Sequence, residues 1–345
     1  MDPREAISRL SSGGTLLEGE ADALFTGLLS GSADAAQWGA ILALIQVRGP
    51  TVDEVVGGAR AMRRVVERVP VEGLAQGTVV IDTCGTGGAA KTFNISTCAA
   101  VVAASAAPGR VVVAKHGNRS RTGRGSAEVL RALGVNVDAG PSVQGRCLRE
   151  AGVCFCFAIH HHPAMRHASG PRASLGVPTI FNLLGPLTNP AGASHQLIGV
   201  YAPGLVGVVA SALARLGSVR AMVVHSEDGM DEISPCRPTR AGVVEGGRVT
   251  EELVTPTSAG TAPATMDSIR AGSLEEATAL FRAVLAGEPG GARSAVLMNA
   301  GAALWVAGVA GSIAEGAASA AEAIDSGRAS KTLETLVRVS GSTGA

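Results

Sequence analysis

Net charge is missing from this sequence. Its 345 residues hold 29 Lys plus Arg against 29 Asp plus Glu, a balance that argues against bulk attraction to nucleic acid or to a membrane surface. Long hydrophobic runs are missing too. The longest apolar stretches, around Cys98 to Ala107 and Ala300 to Ala310, are short or broken by glycine and fall below the length of a membrane span. The start, Met1-Asp2-Pro3-Arg4-Glu5, lacks a basic segment followed by an apolar one, so no secretory signal is expected and the protein is read as soluble and cytoplasmic. Aromatic residues make up only 3%. With so much alanine and glycine, that scarcity suits a close-packed α/β enzyme, and nothing in the composition points to disorder. No solenoid repeat is present. The six cysteines, at 84, 98, 147, 154, 156 and 236, lack metal-ligand spacing. Cys154 and Cys156 alternate on an expected buried strand and are read as reduced packing residues. Cys84 stands apart, inside a glycine loop.

What is present is concentrated between Thr78 and Ser126. A β-branched run, Thr78-Val79-Val80-Ile81-Asp82, leads into Thr83-Cys84-Gly85-Thr86-Gly87-Gly88-Ala89-Ala90-Lys91-Thr92 and then a helix beginning near Asn94-Ile95-Ser96-Thr97. Three glycines in four positions let a ligand approach the main chain and permit positive φ. With the unsatisfied donors and positive dipole end of the helix start, the unit is a candidate phosphate cradle. Asn94 or Ser96 can cap the helix, or a hydroxyl of Ser96 or Thr97 can turn to a ligand. No Gly-Lys-Ser/Thr closes the loop, so it is not a Walker loop, and the glycine order does not fit the dinucleotide fingerprint. A second run, Arg110-Val111-Val112-Val113-Ala114, precedes Lys115-His116-Gly117-Asn118-Arg119-Ser120-Arg121-Thr122-Gly123-Arg124-Gly125-Ser126 and a helix through Leu133. Lys115, Arg119, Arg121 and Arg124 repel one another unless an anion or solvent intervenes, which suits a polyanionic ligand. Consecutive βα loops of a parallel sheet open at the same carboxyl edge. Together they point to one large phosphorylated substrate.

Before these loops, Arg4 to Val69 shows helical patterning throughout, with Thr51 and Glu54 forming a capping box after the stop at Gly49-Pro50. This predicts a small helical domain. After them, strands are expected near Val135, at Val153 to Ile159, at Gln196 to Tyr201 and at Val219 to His225, with a hairpin around Val243 to Val249. Ser273 and Glu276 cap a later helix, and the remainder reads as helical to Val337. The alternation defines an α/β chain. Residues His160-His161-His162 are consecutive and so point apart, a poor chelate. Asp231 and Glu232, on a loop just past the strand ending near His225, can offer hard oxygens to Mg²⁺. Arg172, on a helical stretch, is the candidate for gripping a planar carboxylate.

Seven ordered blocks carry a family resemblance. They are Asp82 to Gly88, Lys91 to Thr97, Lys115 to Arg119, Gly125 to Leu130, His162 to Met165, Thr179 to Pro190, and Asp231-Glu232. In this order they resemble anthranilate phosphoribosyltransferases, over nearly the whole chain. The resemblance implies the fold class shared by nucleoside phosphorylases and these transferases: a small N-terminal helical domain plus a larger α/β domain with a central, mostly parallel sheet. It divides the chain into 1–72 with 165–192, and 73–164 with 193–345, leaving the active site between the two. It implies transfer of a phosphoribosyl group from phosphoribosyl pyrophosphate to the amino group of anthranilate, in tryptophan biosynthesis, by a homodimer. By resemblance Ser96, Asp231 and Glu232 hold Mg²⁺. Gly85, Gly88, Ala89, Thr92, Asn94, Ser96 and Thr97 from the first loop, Lys115, His116, Gly117, Asn118, Arg119 and Ser126 from the second, and Arg172 bind the substrates. Asn118, with Gly85 and His116, completes the acceptor pocket, and His116 orients rather than carries protons.

The chain departs from the family pattern in the first loop, where Ala89-Ala90 replace a longer stretch with an aspartate, in a shortened Thr122 to Gly125, and at Pro178, where a basic residue is frequent. Two other readings stay open. One is a related transferase or nucleoside phosphorylase acting on another aromatic acid or a nucleobase. The other is a non-catalytic relative binding nucleic acid through Lys115, Arg119, Arg121, Arg124 and Arg131.

Overall fold

The computed structural model describes residues 1–32, 34–87, 92–118 and 123–342. Four helices come first: α1 (Pro3–Ser11), α2 (Glu18–Leu29), α3 (Ala35–Arg48) and α4 (Val52–Arg64). Their ends are set locally. Asp34 accepts from the Gln37 amide at 2.8 Å to start α3, and Gly49, at φ +89°, ends it. Thr51 and Glu54 form the expected capping box at α4. Glu54 does more than cap, because its buried carboxylate also accepts from the Leu16 amide at 3.1 Å and pairs with Arg48. A buried carboxylate so fully partnered ties the α1–α2 loop to the α3–α4 joint.

The sheet region follows in alternation: β1 (Val79–Gly85), α5 (Ile95–Ala106), β2 (Val111–Gly117), α6 (Ser126–Ala132), α7 (Pro141–Ala151), β3 (Val153–Phe157) and the single-turn α8 (Ala158–His161). The chain then crosses to α9 (Arg166–Leu175) and α10 (Ile180–Leu184), which pack on the N-terminal helices, α9 against α3 and α10 against α4. It returns through β4 (His195–Gly199), α11 (Leu205–Arg215), β5 (Arg220–Ser226) and the hairpin β6 (Thr239–Glu245) and β7 (Arg248–Val254). Four helices close the fold: α12 (Leu274–Leu285), α13 (Gly291–Val306), α14 (Ile313–Asp325) and α15 (Arg328–Ser340).

The described residues form one seven-stranded sheet in the order β3-β2-β1-β4-β5-β6-β7, in which β6 runs antiparallel to both β5 and β7 and the other pairs are parallel. Period-2 alternation assigns each strand residue to a face. On β5, Met222 and Val224 join the core under α5, α13 and α15, while Ala221 and Val223 join the core under α11. That second core is continuous with the apolar faces of α2, α3 and α4, so the N-terminal helices and one sheet face share a hydrophobic interior. Edge strand β7 is exposed and carries Glu251 and Glu252, charges that discourage pairing with another edge.

One expected strand is absent. Val135 lies in the turn between α6 and α7, where the Gly134 backbone, at φ +95°, closes α6 and the Val135 amide bonds back to the Leu130 carbonyl at 2.9 Å. Asn136 then turns the chain through its side-chain bond to the Asp138 amide. The sheet order matters for function. Strand numbering reverses between β1 and β4, and the crevice at such a reversal, off the carboxyl ends of the strands, is where ligands of open α/β sheets bind.

Candidate active site

Close packing of main chain fills that reversal point. A Cβ on Gly85, the last residue of β1, would stand 2.7 Å from the Asp231 carboxylate. One on Gly199, at the end of β4, would stand 1.5 Å from the Asp231 carbonyl oxygen. Only glycine at both positions lets the acidic loop after β5 lie on the ends of β1 and β4. Thr86 continues the seam, its amide donating to Gly199 O at 2.9 Å and its hydroxyl accepting from the Tyr201 amide at 3.0 Å.

Glu232 reaches the start of α5. Its Oε1 accepts from the Ser96 amide at 3.0 Å and its Oε2 from the Thr92 hydroxyl at 3.3 Å. The helix donor that Asn94 was expected to serve is thus taken by a carboxylate 136 residues away. Asn94 sits at the N-cap but makes no capping bond; its Nδ2 donates to Arg124 O at 3.2 Å, and its Oδ1 is buried without a partner among the described residues. Lys115 is 3% exposed, and its ammonium donates to Thr83 O and, at 3.3 Å, to Ser96 Oγ. Burial raises the carboxyl pKa of both Asp231 and Glu232, and the Asp231 charge adds to the rise at Glu232. Burial also lowers the Lys115 pKa, against the pull of Asp82 and the acidic pair. Among the described residues, no group of three or more His, Cys, Asp or Glu side chains is gathered to hold a metal.

The second loop joins the first through Thr97, whose hydroxyl donates to Ser126 Oγ at 2.9 Å. Gly117, at the end of β2, lies under the Phe155 ring, where a Cβ would be 2.6 Å from a ring carbon. Asn118 follows it, exposed. Arg124 turns its guanidinium to Ala271 O, and Arg131 pairs with Asp138 at 2.9 Å. Of the four expected cations, Lys115 is buried and Arg124 is turned to a backbone carbonyl. Gly88, Ala89, Arg119 and Arg121 lie outside the described residues.

Beside the seam lies a neutral, partly aromatic wall. His116, 5% exposed, places Nδ1 3.1 Å from Gly185 O and Nε2 3.2 Å from His162 Nε2. A carbonyl can only accept, so His116 carries its proton on Nδ1 and His162 donates to the free Nε2. Burial, then His162 and His161, holds His116 well below the ordinary histidine range; burial, then His161, pushes His162 down to about 4. Both rings are neutral at pH 7. The remaining histidines of the triplet turn elsewhere, His160 to Asp138 and His161 to Glu67 O. Arg172 lies over the Phe181 ring at 5.3 Å and has no carboxylate partner among the described residues. The neighbour of Phe181, Asn182, donates to Thr86 O at 3.2 Å, which ties α10 to the glycine loop.

Positioning groups whose roles the sequence did not disclose sit beneath the site. Asp82 is fully buried; it accepts from the His116 amide at 2.9 Å and from Asn189 Nδ2 at 2.8 Å, and Asn189 also donates to Ala114 O at 2.7 Å. An aspartate inside a β-branched run, and an asparagine before a proline, are the signals that mark them. Cys84 resolves as a packing residue, 7% exposed, its thiol pushed well up by burial and by Asp82. The other expected packing cysteines are free thiols, with Cys154 and Cys156 buried on β3.

A glycine-rich βα loop beside a partly buried acidic pair, with a helical bundle packed on one sheet face, is the architecture of a glycosyl transferase. Residues 77–330 match the glycosyl transferase family a/b domain, and residues 4–65 match the helical bundle domain of the same family. Similarity extends along the whole chain to anthranilate phosphoribosyltransferase of Thioalkalivibrio sulfidiphilus, at 49% identity, covering 98% of each. A crystal structure of the Thermus thermophilus anthranilate phosphoribosyltransferase superposes with a TM-score of 0.89 at 39% identity, covering 98% of this chain and 99% of that one. A Saccharomyces cerevisiae enzyme of that name, in complex with PRPP and Mg, shares the fold at a TM-score of 0.86 and 24% identity, covering 99% and 98%. The chain belongs to the anthranilate phosphoribosyltransferase family.

Proposed function

We propose that this chain transfers the phosphoribosyl group of phosphoribosyl pyrophosphate to the amino nitrogen of anthranilate, releasing pyrophosphate, as a step of tryptophan biosynthesis. The observation that carries the reading is the placement, on one seam, of a charged half and a neutral half. The charged half is Asp231 and Glu232 with Lys115 at the start of α5; the neutral half is His116 and His162 beside Arg172, which has no carboxylate partner among the described residues.

The donor binds on the charged half, its pyrophosphate on the main-chain amides and hydroxyls around Gly85, Thr92, Asn94, Ser96 and Thr97, with Lys115, Gly117 and Ser126 closing from β2 and α6. Gly88, Ala89 and Arg119 are assigned to the donor by the family resemblance alone. The residues suit a divalent cation: two carboxylates and the Ser96 hydroxyl are hard oxygen donors, and a pair rather than a full cage fits Mg²⁺, which keeps waters and shares substrate phosphates. When bound, Mg²⁺ offsets the negative charge that appears on the leaving pyrophosphate. The C1′–oxygen bond breaks as the carbon gains oxocarbenium character, and oriented donors on the departing oxygens supply the largest catalytic contribution.

The acceptor binds on the neutral half. Arg172 clamps the anthranilate carboxylate, and Phe181 beneath it holds the guanidinium in place. The arylamine is neutral at pH 7, so nitrogen attacks C1′ without a strong general base; holding it near that carbon is the main demand. His116, its ring oriented by Gly185 O and His162 and held neutral by burial, orients the acceptor together with Asn118.

We further read 1–72 with 165–192 as the helical domain and 73–164 with 193–345 as the α/β domain, supported by the packing of α9 on α3 and of α10 on α4. The enzyme is taken to be a cytoplasmic homodimer, to be checked by light scattering; no helix of the described residues is long and apolar enough to cross a membrane. Mixing the purified chain with phosphoribosyl pyrophosphate, anthranilate and Mg²⁺ should consume anthranilate fluorescence and release pyrophosphate one for one. Turnover of nucleosides with phosphate, and none of anthranilate, would assign the chain to the phosphorylase reading instead.

A further inference from the structure

We propose that Asn299, on α13 and outside the substrate-binding seam, is the positioning residue that sets the acidic loop for the donor. The inference rests on the reading of Asp231 and Glu232 as the metal-binding pair. Asn299 is 2% exposed in an otherwise apolar stretch of helix. Its Oδ1 accepts from the Ile233 amide at 3.0 Å, and its Nδ2 donates to the Ile233 carbonyl at 2.8 Å and to Ala295 O at 2.9 Å. One side-chain amide thus satisfies both main-chain groups of a single buried residue, the reciprocal pair that two residues exchange across an antiparallel ladder. Each buried amide atom is used, so no other side chain of this size replaces it without leaving a polar group unpaired.

Ile233 directly follows Glu232, so fixing its amide and carbonyl fixes the peptide plane from which the Glu232 side chain departs. The loop on either side is knit mostly within itself. The Ser226 amide donates to Met230 O at 2.9 Å, the Ser234 hydroxyl donates to Asp228, and the Ser234 amide donates to the Thr239 hydroxyl at 3.0 Å. Asn299 registers this self-contained loop against α13. Helix α13 in turn packs along α5, whose Ser96 amide receives Glu232. The clamp therefore fixes the distance between the acidic pair and the helix start that together hold the donor. Arg172, His116 and His162 stand on α9, on β2 and just past α8, away from this anchor.

That separation gives the role a signature that a loss of general stability lacks. Asn299→Asp is nearly isosteric; it keeps the acceptor for the Ile233 amide but turns a carboxylate oxygen toward two carbonyls. Asn299→Ser removes the clamp without added charge. In both variants the dissociation constant of Mn²⁺ with phosphoribosyl pyrophosphate, read from the free-Mn²⁺ electron paramagnetic resonance signal, should rise about tenfold or more. The KM for the donor should rise in step, and the KM for anthranilate should stay within about twofold. In the unaltered protein the Ile233 amide should exchange its hydrogen as slowly as the amides of β5. Unchanged Mn²⁺ binding in the folded variants, equal shifts in both KM values, or rapid exchange at Ile233 would overturn the clamp while leaving the acidic pair intact. Absence of Mn²⁺ binding in the unaltered protein would overturn the reading of that pair, and the clamp with it.

Discussion

The two halves of the seam solve opposite electrostatic problems. On the donor side, carboxylates, a buried ammonium and helix amides crowd together, and the pKa values of Asp231, Glu232 and Lys115 are all displaced toward their neutral forms by burial. That is the condition of a site awaiting further charge. On the acceptor side the histidines are already neutral and hydrogen-bonded to each other and to a carbonyl, and the cation there, Arg172, rests on an aromatic face. On the proposed reading, charge is handled where the bond breaks, and geometry where the bond forms.

Removing charge on the donor side should have the greatest consequence. Replacing Asp231 and Glu232 together by Asn and Gln should lower kcat by roughly a thousandfold, the scale of lost transition-state electrostatics; unaltered Mg²⁺-dependent turnover in steady-state assays would erase the contrast. Next, Arg172→Ala should raise the KM for anthranilate about tenfold or more, the worth of a charge-assisted hydrogen bond, with the donor KM nearly unmoved. Equal changes in both would count against a carboxylate clamp. Asn189→Ala leaves one Asp82 oxygen and Ala114 O without their donor. It should cost about 1–3 kcal/mol of stability in denaturant titrations, while Asn189→Asp should cost more because it faces a second carboxylate across 2.8 Å.

A further effect, spread over a pH window, concerns His162. Burial, then His161, pushes His162 from 6.5 down to about 4, so the folded state favours the neutral ring. The stability this provides is complete above pH 6.5 and is lost as pH falls from there toward 4, up to an amount on the order of 3 kcal/mol. His162→Gln should flatten the stability–pH curve over that window, and an unchanged slope would show that the ring is not held neutral.

Short-range features were legible. The capping box at Thr51 and Glu54 needs only a four-residue window, and the two glycine loops announce themselves between β-branched runs and helix starts. The false strand at Val135 arose because two valines around an asparagine mimic alternation, whereas Gly134 had already closed the helix. Long-range partnerships were not legible. Glu232 at the Ser96 amide spans 136 residues, Asn189 at Asp82 spans 107, and Asn299 at Ile233 spans 66. Nothing local reveals which distant donor or acceptor will satisfy a buried polar group; only the assembled layers do. The same blindness covers Lys115 and Arg124, whose burial and backbone-carbonyl partners no local window discloses.

A crystal of the chain soaked with phosphoribosyl pyrophosphate, Mg²⁺ and anthranilate would make the division of labour visible. The pyrophosphate should lie between the start of α5 and the Asp231–Glu232 loop, with the anthranilate carboxylate in hydrogen-bond reach of the Arg172 guanidinium. A donor bound away from that loop, or a carboxylate turned from Arg172 toward Lys115, would contradict it.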